Sequence, residues 1–325
     1  MIDLVSQEYK KLVFKSFVQI GALTLSVEEF IDIVFPNFAN EIESEILKIA
    51  ESLQIADVWV NIKNIIDANE FEHPLMIALY KNELLREIIG PEYSFIDRYP
   101  KVYDRIFREI LPYLIEKFNT NKENADDSTY LSIGLIGASY GQELITILKY
   151  LFPYLSKTEN SEKTALNIDV LNKPNIIFDK LKNNNLIYPK TVISKYMSPE
   201  ELQFYFRELD SEYLYFSDLI FKQIRFINLN LLDKNNLEEF EAKKYNLIFL
   251  HNVIQYLEPK KGEDLNFICQ FLDSILYEGG IISIINESKV INSHITNSFE
   301  HLYKLSGLYS EEKVCKASIY KKNYY

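Results

Sequence analysis

Cysteine, positive charge and long apolar runs are what this chain lacks. Its two cysteines, Cys269 and Cys315, are not in a C-x-x-C spacing, which argues against a disulfide framework and a structural zinc and fits a reducing, cytoplasmic setting. Lys and Arg number 35 against 47 Asp and Glu, a formal net charge of −12. That balance argues against a phosphate-binding surface, so neither nucleic acid nor an anionic membrane face is an expected partner. The first thirty residues scatter Asp3, Glu8, Lys10, Lys11 and Lys15 among apolar positions, unlike the unbroken core of a signal peptide. No later run is long enough to span a bilayer, so no membrane insertion is expected. Internal repeats and low-complexity segments are also missing.

What is present is core material. Hydrophobic residues make up 47% of the chain, with 23 Tyr and 21 Phe, so the interior should be rich in rings carrying a polar tip. From Ser6 to about Gly90 the period is helical. Val13, Phe14, Phe17 and Ile20 form one stripe, Phe30, Ile31, Ile33 and Val34 a second that ends at Pro36, and Ile42, Ile46, Leu47 and Ile49 a third. Ser26 and Glu29 read as a capping box before the second helix. Val102 to Leu114 forms a further helical face, kinked or tightened at Pro112. The polar stretch Asn119 to Thr129 is a loop.

Beyond that loop the period changes. Tyr130 to Ile136 reads as a buried strand running into a glycine turn, and Glu143 to Leu151 as a helix. Further strands are expected at Ile224 to Leu229, Tyr245 to Leu250, Ile281 to Ile285 and Ala317 to Tyr320, with a helix at Leu265 to Leu276. Alternating strands and helices imply an α/β fold: a mostly parallel sheet covered on both faces, after an all-α N-terminal region. The division expected is a helical domain over residues 1–90 and an α/β domain over 91–325.

Gly137 and Gly141 let the backbone turn tightly and approach a ligand closely at the carboxyl end of the first strand, where open α/β sheets bind nucleotide-like groups. The spacing lacks the third glycine of the dinucleotide fingerprint, and a bare strand–helix turn would use the same pair. Asp169, about thirty residues on, is read as ending the second strand, placed to accept both hydroxyls of a ribose. An Asp in a surface turn or cap is the rival reading. His294 and His301 lie seven apart, on one face if that segment is helical, and no metal-ligand spacing supports them.

A colinear set of motifs then resembles the CheR-type receptor methyltransferases. Gly137-Ala138-Ser139-Tyr140-Gly141-Gln142-Glu143 is similar to that family's G-C-S-T-G-E-E turn, and Asn167-Ile168-Asp169 to its D-I-D. Asn230-Leu231-Leu232 matches N-L-L. Tyr245 to Tyr256, containing Leu250-His251-Asn252-Val253, resembles F-D-x-I-F-C-R-N-V-x-I-Y. Gly279-Gly280, Ser318 to Lys322, Tyr205-Phe206 and the upstream Ser94-Phe95-Ile96-Asp97-Arg98 fit in order, so the resemblance covers about residues 90 to 322.

The resemblance implies a Rossmann-like, seven-stranded methyltransferase domain that binds S-adenosyl-L-methionine, releases S-adenosyl-L-homocysteine and needs no metal. By position it implies that Ser94 and Arg98 hold the methionine carboxylate, a task suited to a guanidinium's two parallel donors. Gly137, Ser139 and Gly141 would form the cofactor turn. Glu143 would receive the ammonium, Asp169 the ribose, and Asn230 with Leu231 the adenine edge. Leu250, His251 and Asn252 would border the reacting methyl, and His251 with Tyr256 would bind the acceptor carboxylate. His251 stands where the family has arginine, and a shorter, partly protonated side chain grips a carboxylate less firmly. Asp97, beside Arg98, could compete for its guanidinium.

The implied reaction is methyl transfer to a glutamate carboxylate on a helical receptor. A carboxylate is already ionised at neutral pH and needs no strong base. Two rivals stand beside it: a catalytically weak module that senses the cofactor, and an O- or N-methyltransferase for a small molecule. The family's basic helical face is not visible, since residues 1–60 hold four lysines and no arginine against ten acidic residues.

Overall fold

A computed structural model describes residues 6–21, 27–89, 96–120, 130–155, 165–233, 235, 237, 240, 244–253, 262–285, 299–310 and 313–322. The elements in chain order begin with helices α1 (Gln7–Gly21), α2 (Val27–Ser52), α3 (Val58–Asp67), α4 (Pro74–Lys81), α5 (Glu83–Ile89) and α6 (Pro100–Arg105). A π-helical turn, Ile106–Ile110, joins α6 to α7 (Leu111–Thr120). Then come β1 (Tyr130–Ile136), α8 (Gln142–Leu155), β2 (Ala165–Asn172), α9 (Ile176–Lys182), β3 (Tyr188–Pro189), α10 (Lys190–Ile193) and α11 (Pro199–Tyr205). The rest are β4 (Phe206–Glu208), β5 (Tyr213–Phe216), α12 (Asp218–Phe221), β6 (Ile224–Asn228), β7 (Tyr245–His251), α13 (Gly262–Ser274), β8 (Leu276–Ile285), β9 (Phe299–Ser310) and β10 (Lys313–Lys322).

The chain forms two compact units, and the first is not one continuous stretch. It joins Met1–Phe95 with Asn175–Leu202 and Phe206–Tyr215, where the sequence pattern had suggested a single boundary near residue 90. The reason is a set of polar clasps that periodicity does not encode. Asn37 is buried, and its side chain both donates to Ile187 O (2.7 Å) and accepts from Ile187 N (2.8 Å). Glu87 accepts from Ile176 N at 2.8 Å, and Lys180 pairs with Glu41. Helix α2 runs through Pro36 instead of ending there. Its apolar stripe continues as Phe38, Ile42, Ile46 and Ala50, all buried, while Leu47 faces outward at 41% exposure. Ser26 lies outside the described residues. Its expected partner Glu29 accepts from Tyr196 Oη at 2.7 Å. A capping box does occur, at Ser198 and Glu201, where Pro199 starts α11.

The second unit comprises Ile96–Pro174, Gln203–Tyr205 and Phe216–Tyr325. Among the described residues it carries a seven-stranded sheet in the order β6-β2-β1-β7-β8-β10-β9. The first five strands are parallel, and β10 is antiparallel to both its neighbours. All five expected strands are found. Residues 299–310, which would have put His301 on a helical face, are strand β9 instead. Its pairing to β10 over ten register positions is a long-range contact that local period cannot report.

Alternation along β7 sends Ile248 and Leu250 to one face and Phe249 and His251 to the other. The first face packs against Phe271 and Leu272 of α13 and against Ile275 just beyond it. On the second, Phe249 stacks with Phe107 and Tyr103, and Tyr150 of α8 completes the ring layer. The expected kink at Pro112 is a change of helical register one turn earlier. In the π turn Leu111 N bonds Ile106 O, so a residue at 112 would bond Phe107 O; proline has no N–H, and the Tyr154 hydroxyl donates to that carbonyl instead.

Candidate functional site

The strand order reverses on either side of β1, which places a crevice at the carboxyl ends of β1 and β7. The turn after β1 is built for close approach. Gly137 and Gly141 have φ of 87° and 84°, and Ser139, without a glycine's freedom, has 52°. A Cβ on Gly137 would come within 2.4 Å of Val253 Cγ2, so the turns after β1 and β7 meet only because that atom is missing. Ser139 Oγ is buried and has no hydrogen-bond partner among the described residues.

Glu143, in the first turn of α8, sits beside this turn. Its Oε1 accepts from Tyr103 Oη at 2.6 Å and is paired with His251 Nδ1. The other imidazole nitrogen, Nε2, lies 2.8 Å from Ser283 Oγ in β8. His251 is 2% exposed and Ser283 fully buried. Burial, reinforced by the Glu143 charge, pushes the Tyr103 phenol well above its ordinary range, so it stays a donor. His251 therefore belongs to a buried network, with both nitrogens engaged.

Arg98 places its guanidinium 5.1 Å from the centre of the Tyr99 ring, and Tyr99 Oη donates to Asn252 Oδ1 at 2.6 Å. Asn252 has a left-handed backbone, φ 58°, just beyond β7. Tyr99 thus ties Arg98 to Asn252. Asp97 does not take the guanidinium: its carboxylate pairs with Lys149 and accepts from Tyr150 Oη.

Asp169 requires a correction. It does not end β2 but lies in register with Gly134, three residues before the strand's end at Asn172. It is 1% exposed. Arg225 clamps it through Nε to Oδ1 (2.6 Å) and Nη2 to Oδ2 (2.9 Å), and Tyr245 Oη donates to Oδ2 at 2.8 Å. Gly134 makes room for this: a Cβ there would lie 3.2 Å from the Tyr245 ring, which crosses β1 on its way to Asp169. The residue level with the glycine turn is Asn172, half-buried, with no hydrogen bond on its side-chain amide among the described residues.

Other predicted residues fall into two groups. Leu231 (5% exposed) and Leu250 (0%) are buried in the cluster with Ile136, Leu171 and Leu229, so their side chains are core. Asn230 accepts from Leu232 N at 3.2 Å, shaping the turn after β6. Ser94 and Tyr256 lie outside the described residues. Sequence reasoning missed Tyr99, Tyr103, Asn172 and Ser283. For Ser283 a signal existed: one hydroxyl between Ile281-Ile282 and Ile284-Ile285.

A doubly wound α/β sheet with a tight glycine turn at its switch point defines a nucleotide-type binding domain. Comparison narrows the class: a family model described as "CheR methyltransferase, SAM binding domain" matches residues 98–304, and the chain belongs to that family of S-adenosylmethionine-dependent methyltransferases. Among solved structures it is similar to the N-methyltransferase NodS from Bradyrhizobium japonicum WM9, with 13% identity over 70% of this chain and 100% of that one and a TM-score of 0.37. It is also similar to the DszA carbon methyltransferase, at 9% identity over 92% of this chain and 90% of that one, TM-score 0.44. The comparison with curated proteins found no match.

The residues present fit the family's cofactor at the turn. Ser139 Oγ is an orphaned polar atom there, and among the described residues no hydrogen bond falls on Glu143 Oε2. Asp169 does not fit, because it is 1% exposed and sealed beneath Arg225 and Tyr245. Among the described residues no helix is long and apolar enough to cross a membrane.

Proposed function

We propose that the chain methylates a carboxylate, with a protein glutamate side chain as the acceptor class. One observation carries this reading: His251, the imidazole at the end of β7, is held by Glu143 and Ser283 and is not available as a base. Amines and hydroxyls must lose a proton around the time of transfer, whereas a carboxylate arrives ionised. Attack would then depend on alignment in a site shielded from water, where opposite charges attract strongly. In this reading Arg98 meets the cofactor's carboxylate, Glu143 its ammonium, Ser139 and the glycine turn its backbone, and Asn172, in place of Asp169, the ribose. Tyr256 and Ser94 keep the roles the family resemblance implies.

The partner is a protein that presents glutamates, and a helical receptor is the form the family suggests. Its docking would not use lysines of residues 1–60 as a basic face. All four are engaged by acids: Lys10 with Glu43, Lys11 with Asp32, Lys15 with Glu28 and Lys48 with Glu45. The test is incubation with radiolabelled cofactor and candidate receptors, followed by mild alkali. Base-labile methyl esters are expected; label that survives alkali would point to N-methylation and sink the carboxylate reading.

A second reading, a module that binds the cofactor without turnover, draws on the same histidine. With His251 turned inward, the position where the family has arginine offers no cation to an acceptor. Calorimetric affinity for the cofactor with no turnover on any carboxylate would favour it.

A further inference from the structure

The two oxygens of Glu143 are unequal. Oε1 takes both the Tyr103 hydroxyl and His251 Nδ1, and no hydrogen bond falls on Oε2 among the described residues. His251 can serve Oε1 because its far side is anchored. Nε2 lies 2.8 Å from Ser283 Oγ, and this is the one hydrogen bond of that fully buried hydroxyl among the described residues. The buried hydroxyl and Nε2 satisfy one another. That contact holds the ring with Nδ1 toward the carboxylate.

The Ser–His–Glu order also matches a nucleophile relay. Ser283, in the middle of a covered strand at 0% exposure, has no route to a substrate, so that use is excluded.

We propose that Ser283 and His251 are positioning residues that hold one oxygen of Glu143, so that the other meets the ammonium group of the cofactor's amino-acid end. The inference rests on the S-adenosylmethionine reading of the site. It gives His251 a role through Glu143 instead of on the acceptor.

The test is calorimetric titration of the full chain with two probes, S-adenosylhomocysteine and 5′-methylthioadenosine. The second shares the adenosyl part and lacks the amino-acid end. His251→Leu is expected to weaken S-adenosylhomocysteine about tenfold, the scale of a hydrogen bond to a charged group, and Ser283→Ala about threefold. His251→Asn, which keeps a donor near the Nδ1 position, should recover most of the loss. Methylthioadenosine affinity should stay within about twofold throughout, so the ratio of the two affinities cancels any loss of folded protein. Ser283→Ala, which removes one oxygen, carries the test if His251→Leu does not fold. Equal weakening of both probes, or no weakening of either, overturns the positioning role. Failure of the native chain to bind either probe overturns the cofactor reading itself, and the inference with it.

Discussion

Two buried acids on opposite faces of one sheet show how alike residues come to do different work. Asp169 lies mid-strand on the α13 face with both oxygens bonded, to Arg225 and Tyr245. Glu143 lies at the sheet's end on the ring-layer face, its bonds gathered on Oε1 and its side chain 12% exposed. The first arrangement ties strands β6, β2 and β7 together across β1. The second leaves an acceptor pointing out of a network. The difference is access: Asp169 is 1% exposed beneath its clamp, whereas Glu143 keeps an oxygen with no hydrogen bond among the described residues.

The comparison can be broken in three ways, taken from the largest expected effect down. Gly137→Ala puts a Cβ 2.4 Å from Val253 Cγ2 at φ 87° and should cost about 3 kcal/mol in urea unfolding, the sum of backbone strain and overpacking. Adding Val253→Ala should restore the steric part alone. Full recovery would show that the left-handed backbone is unimportant there.

Asp169→Ala should destabilise by about 2 kcal/mol, because a buried clamp loses its centre while Arg225, 54% exposed, can turn to water. The folded variant should bind S-adenosylhomocysteine as tightly as the native chain. A tenfold loss of affinity would return Asp169 to the ribose and erase the contrast with Glu143.

The smallest effect is alkaline. Burial pushes the Cys269 thiol from 9.0 up to about 11, in the cluster on the Asp169 face. The unfolded thiol loses its proton first, so this contribution is complete below pH 9 and is lost as the pH rises through 11. Urea midpoints at pH 8 and pH 11 should therefore fall further for the native chain than for Cys269→Ala. Equal falls would mean that the thiol is hydrated in the fold.

Local pattern was enough for much of this. Period two and period 3.6 located the strands at 130–136, 245–251 and 281–285 and most of the helices, because burial on one face leaves its mark every two or every 3.6 residues. The glycine turn was legible for a similar reason: a positive φ needs glycine wherever the chain finally goes. The helix through Pro36 and the strand at 299–310 were not legible, since the first depends on tertiary support for a broken bond ladder and the second on a partner strand.

The site divides along the same line. The sequence by itself determined the family and the switch-point turn, and it offered Glu143, Arg98 and His251 as candidates. Only the tertiary structure decided that Asp169 is sealed, that Asn172 ends β2, that Leu231 and Leu250 are core, and that Ser283 stands behind His251. Residue type and spacing state which groups a chain can offer. Hydrogen-bond partners supplied by other strands decide which of those groups are still free to take a ligand.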